Sequence, residues 1–190
     1  MAAERGRFLT RVRAAAILTT AGLLSVTAGL RLTYNSSASL PLGVYRIRDL
    51  AGDPQRGDIV GVCLEESVAQ LALARGYVHP QGLERAFYGT RCDSGVGIVG
   101  KPVAGVPGDT IEVSITGVRV NGNLLDRSRL PDRDRAGRSV QTAPIGRRVL
   151  QPGEYWLQST HAPNSFDSRI YGPVARGSIL DLRVPVLVGK

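Results

Sequence analysis

Residues 97–109, GIVGKPVAGVPGD, join an apolar run to a turn and set a pattern that the rest of the chain repeats. Valine and isoleucine on both sides of Lys101 favour a buried β-strand, which we predict over residues 97–103. The PGD sequence at 107–109 has the residues of a tight turn, and we interpret it as a fold-defining element. A lysine therefore stands inside a strand that the fold is expected to bury.

Similar short runs recur on both sides of this stretch. They are rich in β-branched and apolar residues, are separated by clusters of Gly, Pro, Asn and Asp, and span residues 43–48, 58–63, 110–115, 154–158 and 179–188. Residues 118–125, VRVNGNLL, contain the Asn-Gly pair that two-residue hairpins prefer. This pattern predicts a mostly β, antiparallel fold.

One helical pattern interrupts the strands, at about residues 65–75, with Gly76 placed to end the helix. It lies within residues 63–92, which we interpret as a small helical insertion. Cys63 and Cys92 bound this insertion and could form one disulfide if the domain lies in an oxidising compartment.

The charge of the chain is strongly positive, at +8 over 190 residues. No helix-turn-helix, zinc-finger or stacking-aromatic pattern accompanies this charge, so nucleic acid is not a predicted partner. The arginine-rich stretch at about 126–148 lacks apolar periodicity and is predicted to be an exposed loop. His79 and His161 are not at ligand spacing with the cysteines, so no metal site is predicted.

The N-terminal residues predict a membrane anchor. Four arginines precede the uncharged run 14–30, AAAILTTAGLLSVTAGL, which is at the short end of the length that spans a bilayer. We therefore expect residues 1–34 to form a cytoplasmic basic tip and a single transmembrane helix, with residues 35–190 on the periplasmic side of a bacterial inner membrane. A cleaved signal peptide is the competing interpretation.

The distribution of basic residues singles out one side chain. Lys101 and Lys190 are the only lysines, and every other basic residue is arginine. Lysine can lose its proton whereas arginine effectively cannot, and the apolar neighbours of Lys101 would favour its neutral form. Ser39, in a loop just after the anchor, is a candidate nucleophile that needs such a base.

Several segments together resemble a known family. Residues 101–109 are similar to the lysine box of the serine/lysine signal peptidases, residues 57–60 (GDIV) to the strand before it, and residues 165–172 (SFDSRIYG) to the last box. The serine box here is residues 39–45, SLPLGVY, which resembles the conjugative-transfer, TraF-type branch that processes pilin precursors. The resemblance implies a signal-peptidase-like β fold on one N-terminal transmembrane helix, and no cofactor.

The resemblance also implies roles for individual residues. Ser39 would attack the scissile carbonyl and Lys101 would act as general base. Ser37 would supply an oxyanion donor beside the Ser39 amide, and Ser165 would orient the lysine. Asp167 is implicated in activity, by pairing with Arg169 or by orienting the lysine. The implied substrate is a pilin or preprotein that adds as an extended strand, with hydrolysis and pilin cyclisation both open.

Three alternatives stay open at this stage. Asp167 and Arg169 could form only a salt bridge that fixes a loop. His161 could form a rival triad with Ser39 and Asp167. The whole chain could be a housekeeping signal peptidase or a non-catalytic envelope subunit of a conjugation or secretion apparatus.

Overall fold

The computed structural model describes residues 31–82 and 92–189. The chain divides into two units, Met1–Leu32 and Thr33–Lys190, and all the described residues except 31 and 32 belong to the second. The predicted anchor at 14–30 lies outside the described residues. Within the described ranges, no helix has both the length and the apolar character needed to cross a bilayer.

The described residues form two β-sheets. The larger sheet has seven strands in the order β1-β2-β11-β3-β4-β9-β10. Its strands are β1 (Leu32–Asn35), β2 (Gly43–Asp49), β3 (Ile59–Val62), β4 (Val99–Gly105), β9 (Glu154–Leu157), β10 (Val174–Ala175) and β11 (Ile179–Val188). The strand pairs described in this sheet, from β2 to β10, are all antiparallel, so the prediction of a mostly β, antiparallel fold is confirmed.

The smaller sheet has four strands in the order β7-β6-β5-β8. They are β5 (Thr110–Ser114), β6 (Gly117–Val120), β7 (Asn123–Leu124) and β8 (Gly146–Val149). Asn121 and Gly122 both have positive φ in the turn between β6 and β7, which is the geometry of the predicted Asn-Gly hairpin. One face of this sheet buries Ile111, Val118 and Trp156 in a core of its own.

Two helices and a 3₁₀ turn complete the described elements. Helix α1 (Glu66–Ala74) lies where the helical pattern was predicted, and α2 (Ser168–Tyr171) is a single turn capped by Asp167. The 3₁₀ turn is Arg176–Ser178. Cys63 and Cys92 are joined by a disulfide, which closes the base of the insertion.

The centre of the large sheet fixes the position of Lys101. In β4, Lys101 lies opposite Val60 of β3, and β9 joins the other side of β4 only from Val103 onward. The start of β4 therefore has no strand partner on that side among the described residues. This open edge is where the candidate site lies.

Candidate active site

The side chain of Lys101 is buried, with only 5% of the residue exposed. Burial lowers its pKa from 10.5 to about 8, Asp167 opposes this shift by favouring the ammonium form, and Arg169 adds to it. Near neutral pH a minor but appreciable fraction of this amine is therefore unprotonated, as a general base requires.

A chain of three side chains connects the lysine to the candidate nucleophile. Lys101 Nζ donates to Ser165 Oγ at 3.0 Å, and Ser165 Oγ donates to Ser39 Oγ at 3.1 Å. Ser165 is itself buried, so few competing waters reach its hydroxyl. The structure thus brings together three residues that lie 62 or more positions apart in sequence, Ser39, Lys101 and Ser165.

The loop that carries Ser39 is fixed by Asn35, the last residue of β1. Asn35 Nδ2 lies 2.9 Å from the carbonyl oxygen of Ser37 and 3.1 Å from those of Leu40 and Pro41. Its Oδ1 accepts from the Ser37 amide at 3.3 Å and the Ser37 hydroxyl at 2.8 Å. One amide side chain therefore holds both sides of the turn around Ser39.

Ser159 also fixes the loop that carries Ser39. Its hydroxyl donates to the Ser39 carbonyl at 2.6 Å and accepts from the amides of His161 and Ala162. Its own amide donates to Asp167 Oδ2 at 3.2 Å. Ser159 is completely buried, so it forms a rigid connection between the Ser39 loop and the Asp167 carboxylate.

Asp167 and Arg169 form a fully buried ion pair, with 0% side-chain exposure for both and Arg169 Nη2 at 2.8 Å from Asp167 Oδ2. The Asp167 carboxylate also accepts from the Arg169 amide at 3.2 Å and so caps α2. The remaining guanidinium donors reach backbone carbonyls, namely those of Arg127, Arg129, Ala162, Pro163 and Ser165. This pair joins two loops around the site, the one that contains Arg127 and Arg129 and the one between β9 and α2.

The other residues that the sequence predicted lie at different positions relative to the Lys101–Ser165–Ser39 hydrogen bonds. Ser37 is exposed, and its hydroxyl lies against Asn35. Asp167 reaches the site through Ser159, and no hydrogen bond joins it to Lys101 within the described part of the chain. His161 is exposed, and the Asp167 carboxylate is occupied by Arg169 and Ser159, so the rival triad has no Asp–His link among the described contacts.

Sequence analysis missed the structural roles of Asn35 and Ser159. Neither residue was among the candidate site residues that the sequence predicted. A polar residue at the end of a strand, four positions before a nucleophile, is one signal that could have pointed to Asn35.

Ser39 lies between two concave surfaces. The larger is a groove of about 720 Å³ that is lined by the Ser39 loop, the start of β4, the insertion and the arginine-rich loop. The smaller, of about 590 Å³, lies on the side of Pro41 and His161. No cluster of three metal-ligating side chains is present within the described ranges.

The sequence matches a family model along most of its length. The match is to the signal peptidase, peptidase S26 family and covers residues 5–186. The chain therefore belongs to the peptidase S26 family of signal peptidases.

Similar proteins narrow the assignment within that family. The chain is 30% identical over 171 residues to the conjugal transfer protein TraF of Agrobacterium fabrum, covering 90% of this chain and 89% of that protein. It is 32% identical over 154 residues to a plasmid transfer protein TraF of Escherichia coli, covering 80% and 81%. It is thus a TraF-type member of the S26 family.

One solved structure is also similar. It is a signal peptidase I of Enterococcus faecalis, with a TM-score of 0.36, 19% sequence identity, and coverage of 69% of this chain and 97% of that chain.

Proposed function

We propose that this protein is a serine endopeptidase that cleaves pilin or preprotein precursors in conjugative transfer, with Ser39 as nucleophile and Lys101 as general base. The chain of contacts from the buried Lys101 amine through Ser165 to Ser39 is the observation that carries the proposal. Membership of the S26 family and similarity to TraF proteins support it independently.

The proton path runs along the same three side chains. When Lys101 is neutral, its lone pair accepts the Ser165 proton while Ser165 Oγ accepts the Ser39 proton, so Ser39 Oγ is free to attack the scissile carbonyl. The attack forms a tetrahedral intermediate, in which Ser39 Oγ is bonded to the former carbonyl carbon and the carbonyl oxygen has become an oxyanion, and it leaves lysine as ammonium. The ammonium then protonates the leaving amine along the same path, and the amine departs as the acyl-enzyme forms.

The second half of the reaction needs another nucleophile. Water, deprotonated by the same path, would hydrolyse the ester and release an acid, whereas a substrate amine would form a new peptide bond and a cyclic product. In both halves of the reaction, the oxyanion of the tetrahedral intermediate would be stabilised by the Ser39 amide together with the Ser37 hydroxyl. Ser37 would have to exchange its contact with Asn35 Oδ1 for this purpose.

The substrate would bind as an extended strand beside the start of β4. That edge faces the large groove and lacks a strand partner among the described residues. Backbone groups of residues 98–100 could pair with a peptide there and present its scissile bond to Ser39.

We further propose that the residues before β1 anchor the protein in the bacterial inner membrane, with the peptidase domain on the periplasmic side. The anchor predicted over residues 1–34 is shortened by this, because Leu32–Asn35 form β1 of the large sheet. The uncharged run at 14–30 and the arginines before it support this topology. An oxidising compartment would also sustain the disulfide between Cys63 and Cys92.

The direct test is cleavage of a precursor by the full-length protein in detergent. The substrate would be a candidate pilin precursor from the same genetic neighbourhood, and the products would be weighed by mass spectrometry. Cleavage by the parent and by a Ser114→Ala control, but not by Ser39→Ala or Lys101→Ala, is expected. Ser114 lies on the small sheet, where its hydroxyl contacts Thr116, so this control removes a serine hydroxyl outside the described site.

The same experiment separates the alternatives. A product lighter by one further water would indicate cyclisation. Processing of general secretory preproteins, with growth rescue of a signal-peptidase-depleted host, would indicate a housekeeping enzyme. Equal behaviour of the parent and both variants would refute the proposed dyad and favour a non-catalytic envelope subunit.

A further inference from the structure

The large groove has a strongly basic lining. Its described lining residues include five arginines from three separate segments, which are Arg75 of the insertion, Arg133, Arg135 and Arg138 of the arginine-rich loop, and Arg183 of β11. Asp134 is the only carboxylate among these lining residues. The described part of the groove lining therefore has an excess of positive charge beside the Lys101–Ser165–Ser39 hydrogen bonds, before Lys101 is counted.

The arginine-rich loop is fixed in place by Asp134. The carboxylate accepts from the Tyr77 hydroxyl at 2.7 Å, from Arg138 Nε at 2.7 Å and from the amides of Ala136 and Arg138 at 2.9 Å. Although 126–148 was predicted to be an exposed loop, the Asp134 side chain is only 5% exposed. Burial by itself would raise the pKa of Asp134, but these hydrogen bonds outweigh burial and lower it.

Two further bonds attach the loop to the insertion. Arg75 Nη1 donates to the Ser139 carbonyl at 2.7 Å, and Arg138 Nη2 donates to the Arg75 carbonyl at 2.8 Å. The Tyr77 ring also lies 5.1 Å from the ring of Phe166, which is the neighbour of Ser165. The arginine-rich loop and the insertion, whose arginines Arg75, Arg133, Arg135 and Arg138 form a basic wall of the groove, are thus connected through packed residues to Ser165 and its hydrogen bonds to Lys101 and Ser39.

The Asp134 carboxylate is already used by the loop itself, so it does not neutralise the rest of the wall. Arg133 uses one of its five N–H donors, in a bond to the Gly137 carbonyl. Arg135 makes no hydrogen bond or ion pair within the described ranges. Both are exposed, and both line the groove. Their guanidinium groups are available to a ligand.

We propose that this basic wall, formed by Arg133 and Arg135 with Arg75 and Arg138 behind them, binds an acidic segment of the substrate close to the scissile bond. The proposal rests on the proposed peptidase site, for which it names the substrate class. Guanidinium groups match carboxylates in geometry and donate two parallel hydrogen bonds to them. Because the wall is held by Asp134 and the insertion, it is pre-organised, which reduces the entropy lost on binding.

Binding can be measured without relying on cleavage. Full-length Ser39→Ala protein in detergent would be titrated with a fluorescent peptide that has an alanine-rich centre flanked by glutamates, and with its twin that has glutamines instead. We expect the glutamate peptide to bind about tenfold more tightly at low salt, since each partly exposed arginine–carboxylate contact contributes up to about fivefold. The preference should shrink at high salt, where such contacts are screened.

Variants locate the source of the preference. Arg133→Gln/Arg135→Gln, in the same Ser39→Ala background, should reduce the glutamate preference to about twofold or less. The matched control is Arg46→Gln/Arg48→Gln, which removes the same charge from two exposed positions of β2 that do not line the groove. Thermal unfolding of both variants should match that of their parent, because all four side chains are exposed.

The outcomes separate this inference from the proposed function. Equal affinity for both peptides, or loss of the preference only in the Arg46/Arg48 control, would overturn the basic-wall proposal. If active protein cleaves a pilin precursor while the two peptides bind equally, only this inference fails. If the glutamate preference follows Arg133 and Arg135 but no precursor is cleaved, the proposed catalytic function fails and the acidic-peptide site remains.

Discussion

Lys101 and Arg169 are two buried cations in the same site, and they are held in opposite ways. Arg169 is completely buried, and its guanidinium meets the Asp167 carboxylate and several backbone carbonyls. Lys101 is 5% exposed, and its amine donates a single described hydrogen bond, to the neutral hydroxyl of Ser165. The arginine is electrically compensated, whereas the lysine is not.

This difference gives Arg169 a structural role and gives Lys101 an amine that can lose its proton. A buried ion pair with all its donors used is rigid and stays charged. A buried amine beside a hydroxyl gains little from being charged, so burial lowers its pKa to about 8. Because Arg169 occupies the Asp167 carboxylate, that carboxylate is not free to pair directly with Lys101 and keep the amine protonated.

The largest expected effect comes from removing the uncompensated cation. Lys101→Met should lower kcat/KM for precursor cleavage by about 10⁴-fold, equivalent to about 5.5 kcal/mol, since the proposed general base is lost. Lys101→Arg should be equally inactive although it keeps the charge, because arginine does not lose its proton near neutral pH. Single-turnover cleavage assays measure both. Substantial activity of Lys101→Arg would show that the role of the lysine is electrostatic.

The compensated cation should affect stability first. Arg169→Met should lower the free energy of unfolding by about 3–5 kcal/mol, because Asp167 is left as an unpaired buried charge. Asp167→Asn/Arg169→Met should recover part of this loss, since no ionised group is then left without a partner. Denaturant unfolding of the single and double variants measures the coupling. A loss below about 1 kcal/mol for Arg169→Met would contradict the contrast drawn between the two cations.

Much of the secondary structure could be predicted because it depends on local patterns. Runs predicted at 43–48 and 110–115 correspond to Gly43–Asp49 and Thr110–Ser114. β8 (Gly146–Val149) was missed because all four of its residues are exposed, so it carries no apolar alternation. The order of strands could not be read from local patterns, since it depends on pairings between residues far apart in sequence.

The candidate site divides in the same way. Ser39, Lys101 and Ser165 were recognised by resemblance, and Lys101 also by its apolar neighbours and the scarcity of lysine. The connection from Asp167 through Ser159 to the Ser39 carbonyl was not foreseen, because Ser159 acts through its backbone amide and hydroxyl together. The buried position of Asp134 was also hidden, since charges in 126–148 have the composition of a solvated loop.

The next expected effect is smaller and concerns how Lys101 makes the free energy of unfolding depend on pH. The pKa of Lys101 is lowered from 10.5 to about 8 in the folded state, so between these values the unfolded chain binds more protons. The contribution of Lys101 to the free energy of unfolding therefore rises with pH across this window, by about 3 kcal/mol. At pH 7 Lys101→Met should be more stable than the parent, and this advantage should shrink as the pH approaches 10.5. Denaturant unfolding at several pH values tests this, and an advantage that does not change with pH would contradict a depressed pKa.

The smallest expected effect concerns Ser159. Its hydroxyl donates to the Ser39 carbonyl, and its backbone amide donates to the Asp167 carboxylate. Ser159→Ala keeps the hydrogen bond from the backbone amide of residue 159 to Asp167 but loses the hydroxyl. The variant should therefore have a kcat about tenfold lower, equivalent to about 1.4 kcal/mol. The rise of kcat with pH should keep its midpoint near 8, because the surroundings of Lys101 are unchanged.

Ser168→Ala is the matched control: its buried hydroxyl accepts from the Leu157 amide at 2.9 Å and does not contact the Ser39 loop among the described bonds. If both variants lose the same stability but only Ser159→Ala has a lower kcat, then the Ser159 hydroxyl contributes to activity by positioning Ser39. A shifted midpoint in Ser159→Ala would instead mean that the Ser159 hydroxyl affects the pKa of Lys101.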